Sequence, residues 1–458
     1  MGAAWYAAFA AYAGAVAAFS GPGDDRSWGL WAAAGYTAAA LAAAWWRSHG
    51  RSAALVVSLG GALVAPVTWL AAHTPPTTDM WVVSRSAALL LQHGTPYLSP
   101  AQLAHTASPF AYNPYLPVMT VFGLPRAVGV PGMAGDPRLW LGGSSLVLFA
   151  LAFHVAGRRD AVRCGLFAIA SPVVAFPLAL GVTDPPVLAL VCLVLALLSR
   201  TSRTLPVWPA AIALGVACAM KATAWPALPV IAAMLASRDG ARAAVRFIAA
   251  TAGTSAALVV AFAPAAMAGP AALVQNTVLF PLGLTRVKTP AASPLPGHLL
   301  STMGPAGRLA AISLLIAAVL AVAVSLRIRP PADGPASARR LALGLALMFA
   351  LSPATRFGYF AYPIGLCGWL AAGRGASRDP GRLTPAGAIS GRAFRLHRVL
   401  RLHRTGRPSG VSAVREWLRG DRAAPGRGER GRRQQPHPDA DGALVDVESG
   451  LVDVEVLG

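Results

Sequence analysis

Acid–base chemistry has few candidates in this chain. Glu is absent before Glu416, and residues 1–373 hold eight carboxylates, all Asp. Asp160, Asp239 and Asp333 sit among arginines and read as their charge partners. Asp24 and Asp25 share a short turn, and Asp136 precedes Pro137 where a helix would begin. That leaves Asp79 and Asp184. A carboxylate beside a hydrated cavity can take the proton of an attacking hydroxyl. Asp79, in TPPTTD, therefore reads either as a general base or as a plain helix cap. Asp184, in GVTDPP, reads either as a substrate contact or as a cap ahead of Pro185 and Pro186.

The cations ask for an anion. Lys221 in MKATAWP has no acidic neighbour in its turn, and Arg356 in SPATRFGY and the pair Arg286 and Lys288 in TRVKTP join it. A phosphate or diphosphate would satisfy them, with Arg as a bidentate fork and Lys as a point charge. Arg286 and Lys288 read equally as snorkelling lipid anchors. The run GTPYL…SPFAYNPYLP supplies Tyr97, Phe110, Tyr112, Asn113 and Tyr115, which suit a sugar site or an aromatic belt at a membrane surface. The four cysteines lie in apolar runs without CxxC spacing, and no His or carboxylate pair has metal-ligand spacing, so neither metal nor cofactor is expected.

The elements that must carry these residues are membrane helices. The chain has 458 residues, 55% hydrophobic and 12% charged, with a mean hydropathy of +0.54. Soluble domains carry about 25% charged residues, which excludes an ordinary cytosolic enzyme. Apolar stretches near the length of a membrane span fall at 3–19, 29–46, 53–72, 139–156, 164–180, 184–199, 207–220, 224–237, 243–266, 306–326, 341–353 and 357–373. Stretch 3–19 has no basic segment before it and Asp24 and Asp25 after it, so it reads as a retained helix rather than a signal peptide.

Five arginine clusters, at 47/51, 158/159/163, 200/203, 238/242/246 and 327/329/339/340, are all separated by even numbers of crossings. Lys and Arg stay inside, so both termini are expected in the cytoplasm. The fold class is an all-α integral membrane protein with about 10–12 spans and two long extracytoplasmic loops, 73–138 and 267–305. Three hairpins then aim Asp184, Lys221 and Arg356 at one face. The turns at Lys221 and Arg356 are expected below the outer surface, because each of their passes has too few residues to cross fully.

In the first loop a helix is expected from Thr78 or Asp79 to Gln92, with Trp81, Val82 and residues 89–91 on its apolar side, lying at the interface. The net charge of +21 suggests nucleic acid at first sight. Its 39 basic residues divide into fourteen in inner loops, nine outside and sixteen in residues 374–458, so no nucleic-acid partner is expected. That tail also holds ten acidic residues and reads as a disordered, lipid-touching cytoplasmic extension or as out-of-frame translation.

In order along the chain stand D-x-W-V-x-x-R at 79–85, HGTPY at 93–97, AYNPYLP at 111–117, GVTD at 181–184, MKATAWPALP at 220–229 and SPATRFGYFAYP at 352–363. The series resembles actinobacterial multi-pass glycosyltransferases of the C class (GT-C), in particular the polyprenyl-phosphomannose-dependent alpha-mannosyltransferases. The resemblance covers about residues 50–373. It implies Asp79 as general base, Lys221 and Arg356 on the donor phosphate, and inversion at the anomeric carbon with polyprenyl phosphate leaving. It also implies a bacterial plasma-membrane enzyme whose partners are membrane lipids, a polyprenyl-phosphate sugar donor and a glycolipid or glycan acceptor, with no protein partner predicted. A transporter or flippase for a lipid-linked sugar or another anion explains the same cations, and a non-catalytic scaffold is the third reading.

Overall fold

The computed structural model describes residues 2–45, 50–74, 77–158, 160–200 and 207–374. The tail from residue 375 and the arginines at 47, 159 and 203 lie outside the described residues. Among the described residues the chain is mostly helical and has no strands, only one isolated parallel bridge, Ala292 to Thr355. The apolar stretches named above are, among the described residues, mostly helical, with their bounds shifted by a few residues or broken by short turns. Four helices among the described residues are long and apolar enough to cross a membrane: Ser52–His73, Pro137–Val155, Ala241–Phe262 and Pro305–Ile328. A fifth crossing results if Ala161–Ala170 and Pro172–Leu180, bent by 63°, form one span. This fits an all-α membrane protein.

Apolar surroundings require every backbone polar group to find a partner inside the protein, and the irregular helices show how this is met. Ser52–His73 contains a π-helical turn over Gly60–Val64, and the Trp28 indole donates to the Ala62 carbonyl there at 2.8 Å. Pro172 lacks the N–H that would continue the preceding helix. At that break the Tyr36 hydroxyl donates to the Ala170 carbonyl at 2.5 Å. The helix Asp24–Trp45 thus serves two breaks at once. It comes close enough because Gly35 and Gly61 meet backbone to backbone: a Cβ on Gly35 would stand 2.5 Å from the Gly61 Cα.

The helix Asp184–Arg200 is the centre of the fold. Residues 187–198 are buried, apart from the partly covered Leu197, and pack against Pro137–Val155, Trp208–Met220, Gly334–Leu351 and Ala361–Arg374. Trp208–Met220 has only thirteen residues, about 20 Å at ~1.5 Å per residue. It stops at Lys221, whose backbone is extended (φ −154°, ψ 138°) before a 3-10 turn over Ala222–Ala224. The Leu116 amide from the first long loop donates to the Met220 carbonyl at 3.1 Å, so the loop itself closes this helix end.

Candidate functional site

Four charged residues, distant in sequence, converge. Asp79 lies in the first turn of the helix Thr78–His93. The cap position belongs to Thr77, one residue earlier than expected, and the Thr77 hydroxyl donates to the Leu180 carbonyl at 2.7 Å. That bond ties the start of the helix to the end of Pro172–Leu180. Gly181 then turns with φ +77°, and a Cβ there would lie 2.3 Å from the Met80 Cγ. Only a residue without a side chain lets the 181–184 turn press against Met80 and bring Asp184 beside the Asp79 helix.

The buried stripe of that helix is Met80, Val83 and Ala87, on the spacing that faces a helix's partner. Val82, from the apolar side expected from sequence, is buried as well, while Trp81 and Leu91 of that side lie exposed on the protein surface. The helix packs against the 117–123 segment, where a Gly123 Cβ would meet the Val83 carbonyl at 2.5 Å. Trp81 lies under the Arg85 guanidinium, 4.7 Å from its ring centroid, while Arg85 donates to the carbonyls of Phe110 and Ala111 at 2.8 Å each. Burial lowers the Arg85 pKa to about 10.

Lys221 is not the unpaired cation its own turn suggested. Its Nζ donates to Asp184 Oδ1 at 2.5 Å and to the Thr183 hydroxyl at 3.2 Å, and the side chains of Lys221 and Asp184 are 10% and 3% exposed. The partner comes from 37 residues earlier, across the central bundle, where a search within the turn could not find it. The Nζ also stands 5.5 Å from the ring centroids of both Tyr115 and Tyr359, a distance at which ring faces attract a cation. An ammonium has three N–H donors; Asp184 and Thr183 take two, leaving one.

Arg356 pairs with Asp79 more loosely, Nη1 to Oδ1 at 3.7 Å, with side chains 38% and 18% exposed. That separation is beyond direct hydrogen bonding, and Arg356 makes no side-chain hydrogen bond among the described residues. Burial works against its charge. Asp79, Tyr359, Tyr115 and Asp184 outweigh that and raise its pKa. Tyr115 titrates above the ordinary tyrosine value, chiefly because it is buried, and the Asp79 charge adds to the rise. Tyr362 completes the floor: its hydroxyl accepts from Thr223 at 2.9 Å and neighbours the Asp184 carboxylate.

The other candidate residues have different places. Tyr97 donates its hydroxyl to the Tyr115 carbonyl at 2.9 Å, and Asn113 accepts from the Tyr115 amide at 3.0 Å. The Asn113 amide donates to Asn276 at 2.8 Å, and Tyr112 stacks on Phe280 with centroids 4.3 Å apart. Tyr97 and Asn113 thus hold the backbone of Tyr115, whose ring reaches the charged cluster. Arg286 is spent on the carbonyls of Ala104 and Thr106, at 2.8 and 3.3 Å, and Lys288 is exposed with no bonded partner among the described residues. Both therefore stand outside the cluster. Val287, between them, is buried.

Tyr359, Thr183, Thr223 and Tyr362 belong to the cluster and were not singled out from sequence. Tyr359 follows Arg356 by three residues within a motif already noted. Among the described residues no group of three or more metal-binding side chains occurs. No protein-family model, curated protein or solved structure matches the chain.

Proposed function

We propose that the chain is a membrane glycosyltransferase that moves a sugar, mannose by resemblance, from a polyprenyl-phosphate donor to a hydroxyl of a lipid or glycan acceptor. In this reading it has the 10–12 spans of a GT-C-like enzyme in a bacterial plasma membrane, both termini cytoplasmic and the site at the extracytoplasmic face. The observation that carries it is the convergence of Asp79, Asp184, Lys221 and Arg356, with the Arg356 fork and one Lys221 N–H unspent.

Asp79 accepts the proton of the acceptor hydroxyl. The acceptor oxygen bonds the anomeric carbon from the face opposite the phosphate, and the carbon–oxygen bond to phosphate breaks with its electron pair leaving on the phosphate. A phosphodiester carries one negative charge and the departing phosphate monoester gains a second. Cations on that oxygen therefore bind the transition state more strongly than the ground state. Lys221 and Arg356 fill that role, and the Tyr115 and Tyr359 ring faces flank the Lys221 ammonium. The direct test is transfer by purified protein in bilayers given a polyprenyl-phosphate sugar and membrane acceptors. Sugar transfer that disappears in Asp79→Asn supports the reading, and transfer at the wild-type rate in that variant refutes it.

The rival is an anion or lipid-linked-sugar transporter, favoured by the 63° bend at Ser171 and the helix broken at Lys221, since transporters bind cargo at broken helices. Net transport in proteoliposomes without acceptor would select it.

A further inference from the structure

Where Ser52–His73 ends, Thr68, Ala71 and Ala72 form one wall of an open cleft of about 620 Å³, opposite residues 129–133, with Arg126 and Asp136 as its charged members. Asp136 is already satisfied. It caps the helix Pro137–Val155 through the Arg138 amide at 2.9 Å and holds the Arg138 guanidinium at 2.9 and 3.1 Å. Arg126 is exposed and makes neither an ion pair nor a hydrogen bond through its side chain among the described residues. It is the uncompensated charge of the cleft.

The segment is pre-shaped: the Val130 amide donates to the Pro125 carbonyl at 3.0 Å and the Asp136 amide to the Met133 carbonyl at 3.1 Å. Val128, Val130, Met133 and Leu139 are exposed around it, and Trp140 shows a half-exposed ring while its indole N–H is fixed to the Ala134 carbonyl at 2.8 Å. Exposed aliphatic side chains beside an anchored Trp are the composition of a water–hydrocarbon boundary. Apolar walls, an apolar rim and one free guanidinium suit an amphiphile with an anionic head. We propose that this cleft binds an anionic glycerophospholipid, its phosphate on Arg126 and its acyl chains on Val128, Val130 and Met133. The site uses none of the four charged residues at Asp79, so it stands or falls independently of the proposed reaction.

The test is native mass spectrometry of the full chain in detergent, titrated with phosphatidylglycerol, phosphatidylcholine or inorganic phosphate. Phosphatidylglycerol is expected to bind at one site about tenfold more tightly than phosphatidylcholine. Arg126→Gln should abolish that preference, as the loss of one charge-assisted hydrogen bond would. Ala72→Phe keeps the charge but fills the wall, and it should weaken phosphatidylglycerol binding to a similar degree. Gel filtration of both variants checks that they remain folded. Unchanged binding in Arg126→Gln overturns the site. So does full binding in Ala72→Phe, which would place the lipid elsewhere, or complete displacement by inorganic phosphate, which would make the cleft a plain anion site.

Discussion

The two ion pairs of the cluster are built from the same kinds of residue and behave as opposites. Lys221 and Asp184 meet at 2.5 Å with side chains almost wholly covered, while Arg356 and Asp79 stand 3.7 Å apart with the arginine 38% exposed. A covered pair cannot lose one member without stranding the other charge away from water. An open pair is screened and contributes little to stability. In the proposed function the inner pair fixes the frame, and the outer pair exchanges partners when an anion arrives.

Removing a member of each pair breaks or sharpens that contrast. Asp184→Asn strands Lys221 and should cost about 3–5 kcal/mol, read as a large fall in the thermal unfolding midpoint together with loss of transfer. Adding Lys221→Met to it should recover most of the stability and none of the transfer. If Asp184→Asn unfolds at the wild-type temperature, the inner pair is not the frame. Asp79→Asn should lower transfer by about 10²–10⁴-fold and leave the unfolding midpoint nearly unchanged. A large drop in that midpoint would mean that the outer pair is structural too.

Arg356→Gln should raise the donor KM by about tenfold, the effect of one lost charge-assisted contact, with Arg356→Lys recovering part of it. Gly181→Ala forces a side chain into a positive-φ turn and onto Met80, and should cost about 1–2 kcal/mol for the backbone conformation alone. The smallest effect is alkaline. Tyr115 holds its proton above the ordinary tyrosine value of 10.0. Above about that pH the unfolded chain releases protons that the native state keeps, so stability falls as pH rises. Tyr115→Phe should make the decline above about pH 10 shallower, and an identical slope would show that burial of Tyr115 does not matter.

Much of the helical framework was legible in the sequence because apolar runs of span length have few alternatives. Their surroundings were not. Asp184–Arg200 is enclosed by protein, whereas Pro305–Ile328 buries only Ala311 and Leu326. Both read as apolar, because protein interior and hydrocarbon reward the same side chains. The chemistry-bearing types at 79, 184, 221 and 356 were legible too, since a carboxylate or a cation in an apolar chain is conspicuous. Their pairing was not, because the partner of Lys221 depends on two turns folding against each other. The place of Arg286 was hidden for the same reason: composition records a charge but not the carbonyls of Ala104 and Thr106 that already occupy it.

The convergence of four segments also sets a biosynthetic order. The ribosome delivers Asp79 first, then Asp184, Lys221 and Arg356, so the nascent cluster runs through net charges of −1, −2 and −1 before reaching zero. Until Lys221 is made, the two carboxylates of the cluster exist without either of its cations. Leu116, whose amide closes the helix end at Met220, is also made before Lys221. A chain ending before Arg356 would contain both members of the inner pair and an Asp79 without its partner.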